Sequence, residues 1–345
     1  MAKAVLELRT LSVGYRGPRK SRHLVAAGID LSLRAGELVC LLGPNGAGKS
    51  TLLRTAAAMQ APLGGEVLLD GRNIHGVPKP ELARVLSVVL TERVTAGLLT
   101  SYDVVALGRS PYTGWSGALR EKDHAIVEES IRAVDATHHA HRFIGELSDG
   151  ERQKIMLARA LAQQPKIMIL DEITAFLDLP RRVEIMQILR RLTHEHGRAV
   201  LLSTHDLELA LSGADRVWLL PKGGSLIAGA PEDLVLQGHF ATVFASEGIH
   251  FDEEAGSFSI RRTFRGDVAL EGDGVLGEWT RRALERGGYR VSAAGRTTVT
   301  ARHVDNQSCW RLSLDGCVEE HLSIESLLDA LRAEGSQGVQ TKTCG

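Results

Sequence analysis

Short, continuous apolar runs punctuate the first two thirds of the chain. Glu37-Leu38-Val39-Cys40-Leu41-Leu42, Ile167-Met168-Ile169-Leu170 and Ala199-Val200-Leu201-Leu202-Ser203 carry almost no polar residue. That continuity predicts strands buried on both faces, as in a parallel sheet. Val85 to Leu90 reads as a fourth. The period changes between them. Ser50 to Met59 is rich in Leu and Ala and stops near Pro62, which predicts a helix. Ala125 to Val134 and Gln153 to Ala162 are also helical in pattern, and the strand signal fades from Thr95 to Gln164. Strands and helices alternate to about residue 235, so the fold class is α/β. After Phe240 the character shifts. A polar, turn-rich stretch, Asp252 to Ser257, precedes strand Val268–Leu270, helix Leu276–Arg286, strands Tyr289–Ala293, Thr297–His303 and Cys309–Leu314, and helix Ile324–Ala333. This β-α-β-β-β-α pattern predicts a small separate α+β domain.

The link between the first strand and the first helix carries chemistry. Gly43-Pro44-Asn45-Gly46-Ala47-Gly48-Lys49-Ser50-Thr51 fits the phosphate-loop spacing G-x-x-x-x-G-K-[ST]. Glycines let backbone N–H groups close around phosphate oxygens, and the helix N-terminus adds partial positive charge there. Lys49 would reach the β- and γ-phosphates and the Ser50 hydroxyl would ligate Mg²⁺. The second strand ends in Asp171-Glu172. Beside a phosphate loop, Asp171 suits a Mg²⁺ ligand and Glu172 suits the group that polarises an attacking water. An acidic pair at a helix N-terminus is the plainer alternative. The third strand leads into Thr204-His205-Asp206, which sets His205 near the phosphates.

With these stands Leu147-Ser148-Asp149-Gly150-Glu151, which resembles the signature of ATP-binding cassette (ABC) ATPases. The resemblance covers about residues 5 to 245, with its motifs in the family's order. It implies a cassette at 1–245, with a phosphate-loop core, an antiparallel β subdomain and a helical subdomain at about 95–164. A linker at 246–262, the small domain at 263–335 and a disordered tail at 336–345 would follow. The resemblance further implies that Tyr15 stacks on adenine, although an edge-strand tyrosine is the plainer reading. His205 would be the switch histidine, and Asp178, in Phe176-Leu177-Asp178, would lie in the loop joining the two ATP sites of a homodimer. Ser148, Gly150 and Glu151 would contact the partner's ATP. Tyr102 to Tyr112 resembles ATPases of importers for iron complexes, haem and cobalamin. The partners implied are transmembrane permease subunits and an external binding protein, with the chain peripheral on the cytoplasmic face of the cell membrane. A soluble ABC ATPase acting on ribosomes or DNA is the alternative, disfavoured by a single cassette without a heptad insert. Three features depart from the family pattern. The signature ends Asp149-Gly150-Glu151 rather than Gly-Gly-Gln, Ile173 replaces a proline, and Thr91 followed by Glu92 stands where a Mg²⁺-sensing glutamine is usual.

Composition narrows the picture further. In 345 residues, 43% are hydrophobic, and the formal net charge is −1. The first supports a full core, and the second gives no field to draw in nucleic acid. No apolar run reaches the roughly 18–20 residues that span a bilayer, and charge interrupts the N-terminal segment, so neither a transmembrane helix nor a signal peptide is expected. The four cysteines are too unevenly spaced for a disulfide framework. Two groups of potential metal donors remain, each with an ordinary surface or strand explanation. They are His138, His139 and His141, and His303, Cys309, Cys317 and His321, which share parity and could converge on paired strands, although ordinary strand and turn positions are the plainer reading.

Overall fold

The computed structural model describes residues 3–17, 21–90, 98–115, 117–175, 177–245, 249–253, 256–260, 263–293, 295–304, 307–314 and 317–337. The chain divides into two compact units, Met1–Ser259 and Ile260–Gly345.

The first unit is built on two sheets. Strands β1 (Ala4–Arg16), β2 (Arg22–Arg34), β4 (Gly64–Leu69) and β5 (Arg72–Asn73) form an antiparallel sheet in the order β2-β1-β4-β5. Strands β3 (Leu38–Leu42), β6 (Leu86–Val89), β7 (Ile167–Asp171), β8 (Ala199–Ser203), β9 (Arg216–Leu219) and β10 (Ile227–Gly229) form the second, in the order β10-β9-β3-β8-β7-β6. This sheet is parallel except for the edge pair β9–β10. Its middle strands alternate between two cores. Leu38, Cys40 and Leu42 face a helical core with Met168, Leu170, Val200 and Leu202. Val39 and Leu41 face a second core with Leu8, Val13, Leu52 and Trp218. Burial on both faces is why these strands read as unbroken apolar runs. It also pushes the Cys40 thiol up to about 12, chiefly by desolvation.

Helix α1 (Lys49–Ala56) follows β3, and the short α2 (Lys79–Leu82) precedes β6. Helices α3 (Ser101–Ala106), α4 (Glu121–Ala133) and α5 (Asp149–Ala162) lie between β6 and β7. Helix α6 (Leu179–His194) joins β7 to β8, α7 (Leu207–Gly213) joins β8 to β9, and α8 (Pro231–Leu236) and α9 (His239–Val243) follow β10. The stretch expected as a linker holds a two-stranded ribbon, β11 (Ile249–Asp252) and β12 (Ser257–Ile260). Its Phe251 is 2% exposed, with ring centroid 5.4 Å from that of Phe240.

In the second unit, β13 (Gly266–Glu271), α10 (Gly274–Arg286) and β14 (Tyr289–Val291) make a parallel β-α-β unit. Strand β15 (Thr297–Val304) also pairs parallel with β13, while β16 (Gln307–Leu314) and β17 (Cys317–His321) continue antiparallel. The order is β14-β13-β15-β16-β17, and α11 (Ile324–Gln337) ends the described chain. Val268, Val299, Trp310 and Leu312 from the sheet and Leu284, Leu327 and Leu331 from the helices form the core. Trp310 Nε1 donates to the buried Thr280 Oγ1 at 2.7 Å. The sequence pattern predicts one strand fewer, because β17 reads Cys-Val-Glu-Glu-His and presents no apolar alternation.

The register corrects the expected convergence of His303, Cys309, Cys317 and His321. His303 stands opposite Ser308, and His321 stands opposite Trp310. The pairing therefore joins odd positions to even ones, and Cys309 faces away from the other three. Cys317 pairs with Leu314, four residues along β16 from His321's partner, or roughly 13 Å. Among the described residues no group of three or more His, Cys, Asp or Glu is disposed to hold a metal ion. His138 and His141 are exposed, while His139 is 7% exposed and turned toward Glu151.

Candidate functional site

The turn between β3 and α1 brings Asn45, Gly46, Gly48, Lys49, Ser50 and Thr51 to one wall of a cavity of about 310 Å³, shared with Tyr15, His23, Val25 and Glu172. Gly46 and Gly48 have φ of 78° and 103°, a region costly for residues with a Cβ. A Cβ on Gly48 would lie 2.0 Å from Val25 Cγ1, and one on Gly43 would lie 2.3 Å from the Leu220 carbonyl oxygen. At Gly43 and Gly48 the loop is thus closed so tightly that only glycine fits. The Ala47 N–H is turned back onto Pro44 O at 3.1 Å. Lys49 is 6% exposed and donates from Nζ to Gly43 O at 2.9 Å. Burial lowers its pKa, while Glu172 and Asp171 pull it back up. A cation held among such partners is suited to polyanionic phosphate.

Asp171 ends β7 at 4% exposure. The parallel register sets it beside Ser203 at the end of β8, and Ser203 Oγ donates to Asp171 Oδ1 at 2.5 Å. The Glu172 N–H reaches both Ser203 O and Ser203 Oγ at 3.1 Å. One serine therefore fixes both acidic residues, a role that Ser203's apolar sequence context does not announce. Glu172 has φ of 52°, a left-handed conformation that costs about 1–3 kcal/mol and persists only where its surroundings hold it. Its Oε1 lies 2.5 Å from His205 Nε2, so the two side chains form a close pair, with Glu172 on the cavity wall.

At the far end, Tyr15 is 47% exposed and its hydroxyl lies 2.6 Å from Thr51 Oγ1. The β1–β2 register places His23 directly opposite Tyr15. His23 and Val25 are cavity residues that motif reading misses, because cross-strand pairing and not sequence distance brings them there.

Ser148, Gly150, Glu151 and Asp178 are not among the residues lining this cavity. Ser148 caps α5, with its N–H donating to Glu151 Oε2 at 2.9 Å and its Oγ accepting from the Glu151 N–H at 3.4 Å. This is a reciprocal capping box. Asp178 caps α6, accepting from the Arg181 N–H at 3.1 Å. A Cβ on Gly150 would lie 3.1 Å from Arg181 Cδ, so these two helix N-termini are neighbours. Thr91 and Glu92 lie outside the described residues.

The segment Tyr102 to Tyr112 contains a buried cation. Arg109, 2% exposed, donates from Nε to Asp123 Oδ1 at 2.9 Å and from Nη1 to Ala162 O at 2.7 Å. Its guanidinium carbon lies 4.0 Å from the Tyr112 ring centre. It ties α3, α4 and α5 together.

Comparison with known proteins agrees with this geometry. The ABC transporter family profile matches residues 26–175, and the profile described as the iron ABC transporter C-terminal domain matches residues 265–332. An ABC transporter ATP-binding protein of Methanocaldococcus jannaschii is 43% identical over 257 residues, covering 74% of this chain and 87% of that protein. The ferric enterobactin transport ATP-binding protein FepC of Escherichia coli is 33% identical, over 68% of this chain and 86% of its own. Among solved structures, a bacterial ABC transporter cassette determined as a dimer superposes with a TM-score of 0.58 at 27% identity, covering 66% of this chain and 98% of that one. The chain belongs to the ATP-binding proteins of ABC transporters, and it is an ATPase of the cassette fold with an additional C-terminal domain.

Proposed function

We propose that this ATPase drives an importer for an iron complex, a siderophore or a related chelate, with haem and cobalamin as further members of that class. The observation that carries the reading is the second unit. Residues 265–332 match the iron ABC transporter C-terminal domain, and the cassette ahead of them is similar to an enterobactin transport protein. The chain would sit peripherally on the cytoplasmic face of the membrane, bound to permease subunits that receive cargo from an external binding protein. No described helix is long and apolar enough to cross a membrane, which fits such a division of labour.

In the proposed cycle, two copies pack head to tail. ATP lies on the phosphate loop of one chain and against Ser148 and Gly150 of the other. Lys49 and the loop N–H groups neutralise the phosphates. Glu172, held at its strained φ and paired with His205, accepts a hydrogen bond from the attacking water and orients it in line with the γ-phosphorus. His205 contacts the γ-phosphoryl oxygens, coupling their presence to the carboxylate's position. The buried Asp171 carboxylate and the Ser50 hydroxyl are hard oxygen donors beside the phosphate cradle, a set that fits Mg²⁺. They would hold the ion, which supplies charge neutralisation between the phosphates. Thr91 and Glu92 stand in place of the usual glutamine, and hydrolysis is proposed to proceed without it.

The test is uptake. A strain lacking this chain should lose import of a radio-iron siderophore, and the parent gene but not the Glu172→Gln variant should restore it. Normal uptake in the deletion strain would overturn the reading.

A further inference from the structure

The signature of this chain ends in a carboxylate, and that carboxylate is engaged from the far side. His139 Nε2 lies 3.4 Å from Glu151 Oε1, the oxygen that does not receive the Ser148 N–H. His139 Nδ1 lies 3.4 Å from Arg142 Nη1, and Arg142 Nη2 donates to Glu146 O at 2.9 Å. Arg142 Nη1 is 4.0 Å from Glu151 Oε2. Since arginine only donates, His139 Nδ1 accepts, which leaves the proton of the neutral ring on Nε2, facing Glu151 in a 3.4 Å electrostatic contact. Arg142 thus backs His139, and His139 and the Ser148 N–H approach the Glu151 carboxylate from opposite oxygens. The other charged neighbours do not interrupt this arrangement. The His138 ring lies tilted by 50° against that of His139, 3.8 Å between centroids, and Lys154 is bound to Glu184 at 2.5 Å.

A carboxylate three residues into a helix stabilises that helix but opposes an incoming phosphate at the same terminus. Directing its charge onto its own Ser148 N–H, with an N–H facing each oxygen, keeps the remaining N–H groups of the α5 N-terminus available. We propose that His139 is a positioning residue for ATP-driven dimer closure, holding Glu151 in the capping geometry that presents Ser148 to the nucleotide bound by a second copy. This rests on the head-to-tail reading above and assigns Glu151 an inward role. Burial and the neighbouring His138 lower the pKa of His139, consistent with a neutral donor.

The experiment uses full-length chains carrying Glu172→Gln, with ATP–Mg²⁺ as ligand. His139→Ala should leave the affinity of the monomer for a fluorescent ATP analogue unchanged. It should raise the ATP concentration for half-maximal dimerisation about fivefold, the loss expected for one polar contact of ordinary strength. Glu151→Gln should relieve that defect, because an amide oxygen still caps Ser148 but carries no charge to restrain. If His139→Ala does not fold, Arg142→Met at the exposed end of this arrangement takes its place with the same readouts and the same rescue. Unchanged dimerisation, or a defect that Glu151→Gln does not relieve, would overturn the proposal. The head-to-tail reading is tested separately, by dimerisation of the chain with its signature intact.

Discussion

Replacing Asp123 by alanine strands a buried guanidinium. In the parent, Asp123 Oδ1 accepts from Arg109 Nε and forms an ion pair with Arg109 Nη2, both at 2.9 Å, and each side chain is 2% exposed. Asp123 Oδ2 also accepts from the Arg120 N–H at 3.1 Å and so caps α4. Breaking a buried pair from one side typically costs 3–5 kcal/mol. Arg109 keeps Ala162 O, Gln164 Oε1 and the Tyr112 ring, which places the loss near the lower end, at about 3 kcal/mol. For a unit of this size that corresponds to a fall in Tm of roughly 6–12 °C. The pH dependence has a definite sign. The Arg120 N–H and then Arg109 hold the Asp123 carboxyl below its ordinary value of 3.8. A depressed carboxylate stabilises the folded state above that value and loses its contribution as pH falls through the folded-state pKa. The gap between parent and variant should therefore be full at neutral pH and shrink below about pH 4. Thermal melts across pH measure both effects, and the double variant Arg109→Leu/Asp123→Leu should recover most of the loss. A single variant melting within a degree of the parent at neutral pH would refute the reasoning.

Other outcomes follow from the site. Lys49→Ala should lower ATP affinity at least about 100-fold, because it removes a cation from a site of reduced dielectric; equilibrium binding of a fluorescent analogue reads it. Ser148→Arg should bind that analogue like the parent yet fail to hydrolyse ATP, and normal turnover would show that the signature plays no part. Tyr15→Ala should weaken ATP binding by about 3–10-fold, the worth of one aromatic stack, and leave kcat within about twofold.

How much of this was legible in the sequence depended on what buries each segment. Strands β3, β7 and β8 were readable because both faces are covered, and the phosphate loop was readable because its glycine spacing is forced by Val25 and Leu220 lying within reach of any Cβ. The long strands β1 and β2 carry exposed positions and register shifts along their length, so no clean period marks them. His23 and Val25 reach the cavity through that pairing. Glu151 was visible as a departure from the family pattern, but its partner His139 sits twelve positions earlier across a 3₁₀ turn, a separation with no periodic signature. The parity argument for His303, Cys309, Cys317 and His321 failed because parity survives strand pairing only when opposed residues sum to an even number. Here Val304 faces Gln307.

The central claim is that Glu172 acts on water while ATP holds two cassettes together. Glutamine at position 172 keeps the side chain's size but cannot serve as the carboxylate acceptor. The most direct measurement is gel filtration of Glu172→Gln with and without saturating ATP–Mg²⁺. The variant should run as a monomer without nucleotide and as a species near twice the monomer mass with it. A monomer under both conditions would contradict that claim.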